Sequence, residues 1–452
     1  MNRDINEIGS NKIVAPNLAS PAFKANPYPF YARLRDEAPV WRTTLPDRRT
    51  AWLVTRYEDV ARVLKDDTFA KDKLNAMDPQ QRAKTPWVPG FLKPLERNML
   101  DLDEPDHARL RALVSKAFTP RLIERLRGRV EALCEELLDA IERKGERSGQ
   151  IELVADYALP LPATVIAELL GVPPEDHAKF HRWSNRLVSV SSKRDTLRAL
   201  PAALAFVRYL RRMIEKRRAD PRDDLITALI RAEEAGDKLS EDELLAMGFL
   251  LLVAGHETTV NLISSGTLAL LEHPEQTQKL KSDPSLIKSA VEELLRYTSP
   301  VEIATERYPR QDVEIGATTI PRGELVLAIL GSANRDERHF EDPDVLDLTR
   351  DPNKHLAFGR GGVHHCLGAP LARMEGQIAI GAFLRRFPKA SLAVTSESLR
   401  WRRGLFLRGH KKLPLVLYGT SAWHSSFSSL AVRICATRPQ RGLLERREHE
   451  VT

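Results

Sequence analysis

The chain has 452 residues and a mass of 51.0 kDa, with 42% hydrophobic, 29% charged and 6% aromatic residues, enough apolar material for a large core and too mixed for a collagen, coiled-coil or disordered chain. The 69 Lys+Arg against 62 Asp+Glu leave +7 and a pI near 9.2, a small excess with no basic cluster, which argues against nucleic acid and for a basic face toward an acidic protein partner. Three cysteines, Cys134, Cys366 and Cys435, form no regular framework and point to a reducing, cytoplasmic setting; length alone allows about three domains.

Residues 1–24 are an N-terminal segment in which Asp4, Glu7 and Lys12 interrupt any apolar stretch of a signal peptide. Pro27 to Ala38 reads as a helix, Trp41 to Thr55 as a hairpin around Pro46 and Asp47, and Tyr57 to Leu64 as helix again. Met77 to Asn98 holds Pro79, Pro86, Pro89 and Pro94 around Trp87 and Phe91, a long irregular loop of the kind that usually serves function. From His107 to about Leu271 the apolar spacing is helical, broken at Thr119-Pro120, Gly145 to Gly149, Leu159 to Pro162, Val172 to Pro174 and Ala219 to Asp223.

The apolar run Leu244 to Gly255 falls short of the ~20 residues a spanning helix needs, so no membrane segment is expected. Strands are expected at Val313 to Ile320 and Leu325 to Ile329, joined by a turn at Ile320 to Gly323. The fold class is mainly α with small β-sheets. Beyond residue 418 the chain changes character: five Ser fall within 421–429, and five Arg against three Glu within 430–452 give +2, the composition of a disordered tail.

Three segments carry chemistry. His355-Leu-Ala-Phe-Gly-Arg-Gly-Gly-Val-His-His-Cys366-Leu-Gly precedes a helical pattern from Leu371 to Phe387. A cysteine at a helix start, reached through glycines, is expected to have a lowered pKa and to be a good iron ligand; adjacent His364, His365 and Cys366 make a poor zinc set. Leu251-Leu-Val-Ala-Gly-His-Glu-Thr-Thr-Val260 sits mid-way along a helix expected from about Asp242 to Glu272. A glycine beside Glu257, Thr258 and Thr259 there suggests a groove for a small ligand with proton delivery, the alternative being a kink with back-bonded threonines; Val260 replaces the second His of a zinc-protease motif and eliminates it. Glu293-Leu-Leu-Arg296 lies on an amphipathic helix, where such a spacing taken alone is usually a solvated salt bridge.

The ordered set resembles the cytochrome P-450 monooxygenases of the soluble bacterial type. The resemblance runs roughly from 25 to 418 and is similar to the actinobacterial macrolide hydroxylases through Leu252-Val-Ala-Gly-His-Glu-Thr-Thr-Val-Asn261 and Gly368-Ala-Pro-Leu-Ala-Arg373. It implies the P-450 fold, with 25–418 as one haem domain and 419–452 as an extra tail. It also implies haem b with Cys366 as axial iron ligand, Phe358 and Gly359 in the loop that shields the sulfur, and His107, Arg111, Arg307 and His364 on the propionates. Ala254 and Gly255 would form the oxygen groove and Glu257 with Thr258 the proton relay, while Glu293, Arg296 and Arg350 would form a structural ion network. Trp87, Phe91, Val253, Ile303 and Phe406 are the substrate-pocket candidates.

The function implied is O2-dependent hydroxylation or epoxidation of a lipophilic secondary metabolite, macrolide-like among others, by a cytoplasmic monomer. No flavin or nicotinamide module fits in the remaining length. Electrons from NAD(P)H would therefore arrive through a ferredoxin or flavodoxin and its reductase. The loop departs from the family in one respect: Phe358 stands eight residues before Cys366 instead of seven, so Gly361 or Gly362 is extra. A glycine can be absorbed as a bulge, but the change implies weaker shielding of the sulfur, and an inactive or merely ligand-binding haem protein is the alternative reading.

Overall fold

The computed structural model describes residues 13–78, 98–188, 193–234 and 239–418. Trp87, Phe91 and the expected tail at 419–452 lie outside the described residues. Helix α1 (Pro21–Ala25) and α2 (Tyr28–Glu37) lead into a hairpin of β1 (Val40–Thr44) and β2 (Thr50–Val54), then α3 (Tyr57–Lys65) and β3 (Phe69–Ala70). The helical body follows as α4 (Asp106–Ala117), α5 (Pro120–Ser148), α6 (Pro160–Leu169), α7 (His177–Val188), α8 (Lys193–Ala219), α9 (Leu225–Glu234), α10 (Glu241–Glu272), α11 (Pro274–Ser282) and α12 (Ile287–Thr298), with β4 (Ile151–Glu152) inserted after α5. Strands β5 (Tyr308–Pro309), β6 (Val313–Ile315), β7 (Thr318–Ile320) and β8 (Leu325–Ala328), helix α13 (Ala369–Arg386), β9 (Ser391–Leu392) and β10 (Pro414–Val416) complete the order, and the fold is mainly α with small sheets.

Local chemistry sets the helix ends where the sequence placed them. Thr119 accepts from Leu122 N–H with Pro120 in the first turn of α5, and Ser240 and Glu243 form a reciprocal capping box that opens α10. Helix α10 is 32 residues long, about 48 Å, and packs against α6, α12 and α13. By length and composition it could cross a membrane, yet most of its apolar window is buried inside the protein, as a central core helix requires.

The sheets correct one expectation. Val313 to Ile320 is not a single strand but the β6–β7 hairpin, reversing at Gly316, whose φ of +59° needs no Cβ. The residues after Pro321-Arg322-Gly323 do not return to it. Instead β8 pairs in parallel with β2, Ala51 opposite Leu325 through Val54 opposite Ala328, in a β1-β2-β8 sheet. A parallel partner some 270 positions away leaves no trace in local alternation, which explains the misreading.

Candidate active site

Helix α13 begins directly after the Cys366 loop. The loop closes through Cys366 N–H donating to Phe358 O at 2.9 Å, Gly359 N–H to Leu356 O at 2.8 Å and His365 N–H to Gly362 O at 3.0 Å. Cys366 has solvent-accessible surface, yet protein surrounds it closely enough for burial to dominate its titration, so the sulfur sits in a recess. This corrects the expected lowered pKa. Burial pushes the thiol up, and the Gly368 and Ala369 N–H groups and the charges of Arg111 and Arg373 pull it down by less.

The extra glycine is absorbed against α3. Gly361 adopts φ +87°, and a Cβ there would run into Lys65 Cε; a Cβ on Gly362 would overlap the Leu64 carbonyl oxygen. Neighbouring Val363 is turned outward, 58% exposed. Phe358 is covered on one face by the Arg373 guanidinium at 4.5 Å, and Arg373 in turn grips Glu292 through Nε–Oε1 at 2.6 Å and Nη2–Oε2 at 2.8 Å. Arg373 is therefore tied inward, leaving Arg360 as the exposed cation of this loop.

Gly362→Ala should cost about 1–3 kcal/mol through overlap with Leu64, read as a lowered Tm, whereas Gly128→Ala on the exposed face of α5, with nothing within 4 Å, should be neutral or stabilising. Burial works against ionised Glu292, but hydrogen bonds from Arg373 and His355 hold its pKa down at about 2. Because folding lowers this pKa from 4.5, the stability it contributes is fully present above about pH 4.5 and is lost as pH falls through about 2. Glu292→Gln should flatten the acid-unfolding profile in that window.

On one side of the sulfur, basic groups converge. His107 on α4 is 2% exposed, its ring lies 4.0 Å from that of His364, and its Nδ1 meets Glu104 Oε1 at 3.1 Å, while Nε2 has no partner. Burial, then repulsion from His107, Arg307, Lys71 and Arg111, drives His364 down to about 2. Burial lowers Arg307 to about 10, and burial followed by Arg307 lowers Lys71 to about 7. Arg111 is also lowered by burial, with Cys366 acting against the shift. Lys71 was not anticipated: it reaches Arg307 only because β3 pairs with β5, Ala70 opposite Tyr308. Mutually repelling cations and an orphaned imidazole nitrogen beside a thiol fit a cofactor that brings anionic groups to this spot.

Helix α10 supplies the other half of the site. Ala254 is exposed, and Phe249, Leu250, Leu251, Val253, Gly255 and Thr258 around it are half-buried, so one side of the helix is open there. Gly255 has a packing reason of its own, since a Cβ would lie 2.7 Å from Ile166 Cδ1 on α6. The opening is at Ala254, and the glycine serves helix contact. Thr258 Oγ1 donates to Ala254 O at 3.1 Å, the back-bond that loosens a helix. Glu257 is 7% exposed and bonded to Arg402 Nη1 at 2.7 Å; burial raises its pKa, and Arg402 opposes the rise. Arg402 comes from the C-terminal loop, where its Nε donates to His410 O, and local sequence offered no sign of it. Glu375 on α13 was likewise missed: fully enclosed and facing Thr259, with neither oxygen in hydrogen-bond geometry, it is pushed up to about 8 by burial.

Among the remaining candidates, Glu293 and Arg296 are both 0% exposed and joined at 2.7 and 2.8 Å, with Arg350 Nε on Glu293 at 3.2–3.3 Å. The solvated-pair expectation does not hold for them. Ile303 is 0% exposed within an apolar core cluster, and the Ile303 N–H donates to Phe406 O, so these two are neighbours through the backbone, with Phe406 half-buried.

A family model described as Cytochrome P450 matches residues 13–398. The polyketide biosynthesis cytochrome P450 PksS of Bacillus subtilis is 46% identical over 398 residues, 87% of this chain and 96% of that protein. Its solved structure superposes with a TM-score of 0.82 at 44% identity, over 90% of this chain and all of that one. The myxobacterial cytochrome P450 CYP267B1 in complex with myristic acid matches equally well, with a TM-score of 0.82 at 43% identity, over 90% of this chain and all of that one. The cytochrome P450 monooxygenase PikC of Streptomyces venezuelae is 44% identical over 87% of this chain and 91% of its own length.

Proposed function

The chain belongs to the cytochrome P450 family and is a monooxygenase of that family, and on this premise we propose that it hydroxylates or epoxidises a lipophilic secondary metabolite with a polyketide-like skeleton. The overall change is RH + O2 + 2 e− + 2 H+ to ROH + H2O. The two electrons come singly from NAD(P)H through a ferredoxin or flavodoxin and its reductase, the electron carrier docking at the exposed Arg360. The observation that carries the reading is the set His107, Arg111, Arg307, His364 and Lys71 gathered beside Cys366. Such a set fits the two propionates of haem b, with Cys366 as its thiolate ligand. When bound there, haem supplies the iron centre at which O2 is reduced.

The chain's own residues do the rest. The Gly368 and Ala369 N–H groups and the Arg111 and Arg373 charges stabilise negative sulfur at Cys366, while the Phe358 carbonyl holds the Cys366 N–H. Ala254, exposed mid-way along α10, would leave room for O2 and substrate. Glu257, buried with a raised pKa, holds and passes protons toward Thr258, while Arg402 keeps its carboxylate oriented. Residues 25–418 act as one haem-binding unit in the cytoplasm. The loop geometry lends no support to an inactive relative, since the extra residue is taken up by glycines against α3 and the Cys366–Phe358 hydrogen bond is kept.

The substrate class is tested by screening macrolides, linear polyketides and fatty acids for substrate-induced spin-state shifts. A response to fatty acids alone would overturn the polyketide assignment. For the proton relay, Glu257→Gln should slow product formation about 100-fold and divert O2 to H2O2, read as a falling ratio of product to NAD(P)H consumed. Unchanged coupling would remove Glu257 from the relay.

A further inference from the structure

The fold concentrates the chain's charge, which the linear sequence had shown only as a small excess of +7 without a cluster. Helices α7 and α8 together hold twelve Lys or Arg against two acids, Asp195 and Glu215, a net +10, so the rest of the chain stands at −3. Lys179, Arg182 and Arg186 recur at i, i+3 and i+7 along α7, and Arg208, Arg212 and Lys216 at i, i+4 and i+8 along α8. Each helix therefore carries a basic stripe, and all six residues are exposed. An aromatic seam of Phe180 and Trp183 against Phe206 and Tyr209 packs the two helices together.

Most of these charges lack a counter-ion. Lys179 pairs with Asp176 at 2.7 Å and Arg211 with Glu241 at 2.6 Å, while Arg217 is turned inward onto Asp224. Arg182, Arg186, Arg198, Arg208, Arg212 and Lys216 form no ion pair among the described residues. Like charges one turn apart weaken a helix by a few tenths of a kcal/mol per pair, so the stripe on α8 is a cost to the folded chain alone. In a protein that is negative elsewhere, six unpaired cations on one helix pair make a local field that attracts an acidic surface.

The patch borders the opening at Ala254. Both helices pack on α10, and the Phe206 ring lies 6.2 Å from that of Phe249, five residues before Ala254. Burial lowers the His256 pKa to about 4, the Leu252 carbonyl opposes the shift, and the nearby His181 of α7 adds to it, so α7 reaches the same stretch of α10. Arg360 belongs instead to the loop whose glycines press on α3. The large apolar side chains exposed among the described residues are Val14, Leu74, Val345, Val363 and Val394, none of them on α7 or α8, which leaves no apolar wedge for a bilayer. With Trp183 and Tyr209 spent on the seam, no described ring on these helices is free to stack on a base.

We propose that the outer face of α7 and α8 docks a small acidic carrier protein, which presents the lipophilic substrate at the α10 opening while the electron carrier uses Arg360. Asp and Glu on the partner would supply the missing counter-charges, with an attraction that salt screens beyond about 8 Å. What the partner delivers rests on the reaction proposed above; the docking does not.

The test is calorimetric titration of the haem-loaded full-length chain with an acidic acyl carrier protein, unloaded and decanoyl-loaded, at low and high salt, while the Soret band is recorded. Unloaded carrier should bind saturably at low salt and at least about tenfold more weakly at high salt. Arg208→Glu/Arg212→Glu should weaken it by about tenfold or more, and the matched charge change Lys288→Glu/Lys389→Glu, at exposed sites outside the patch, by less than about twofold. The loaded carrier should also shift the Soret band. Absence of saturable binding at low salt, equal effects of the two reversals, or displacement of the carrier by a ferredoxin would overturn the docking. Tighter binding of duplex DNA or phosphatidylglycerol vesicles, lost on the same Arg208 and Arg212 changes, would assign the face to that partner instead. Docking with no Soret shift from the loaded form would refute delivery at the opening. A free polyketide that shifts the Soret band of a chain that binds no carrier would sink the docking and leave the proposed reaction standing.

Discussion

Cys366→Ala is expected to abolish the far red-shifted Soret band of the reduced, CO-treated protein and to take substrate oxidation to background. Loss of an outer partner of a metal ligand typically costs 10–100-fold, so loss of the ligand itself should exceed about 100-fold. In the protein alone, burial favours the neutral thiol, and two backbone N–H groups with Arg111 and Arg373 only partly offset it. A dicationic or tricationic metal opposite the sulfur reverses that balance, because a coordinating thiol is deprotonated outright. The recess therefore suits a metal-bound sulfur and disfavours a free reactive thiol. His107→Phe should weaken haem retention and leave the band of the retained fraction in place, since His107 lies on the cationic side of the site and does not donate to the sulfur. A CO spectrum of the red-shifted type in Cys366→Ala would refute the assignment of the ligand.

How much of this was legible depended on whether the cause was local. The bounds of α10 were readable within one residue, because its capping box and apolar content lie in the same stretch of chain. The Cys366 loop and the Glu257-Thr258 pair were readable as chemistry for the same reason. Partners that arrive from far along the chain were not. Arg402 joins Glu257 across 145 positions, and Lys71 joins Arg307 only through the pairing of β3 with β5. At two positions the local reading left out part of the physical cause. Gly255 is needed where α6 presses on α10, and the cysteine's helix-start position does pull its pKa down, but by less than burial pushes it up. Electrostatic balance depends on how many atoms surround a group, which spacing along a sequence does not report.

The Glu293–Arg296 pair shows the same limit and carries the largest stability effect expected away from the sulfur. Sequence spacing marks a pair one turn apart, and such pairs on exposed helices contribute about 0.3–0.5 kcal/mol. Here the chain between Asn334 and Asn353 folds over α12 and seals it. Arg296 Nη1 donates to the carbonyls of Asn334 and Pro343, and Nη2 to that of Val345; Asp347 N–H and Asn353 Nδ2 donate to Glu293. The guanidinium thereby holds a segment without regular structure, the one leading into the Cys366 loop. Arg296→Met removes the guanidinium donors and leaves buried Glu293 with Arg350 as its one ion-pair partner among the described residues, beside the Asp347 and Asn353 donors, which should cost about 3–5 kcal/mol. A double Glu293→Gln/Arg296→Met chain leaves no unpaired buried carboxylate and should recover part of that loss, so chemical denaturation of the two variants separates charge burial from lost hydrogen bonds. If Arg296→Met unfolds at the denaturant concentration of the unchanged chain, the pair is not what fixes residues 334–353.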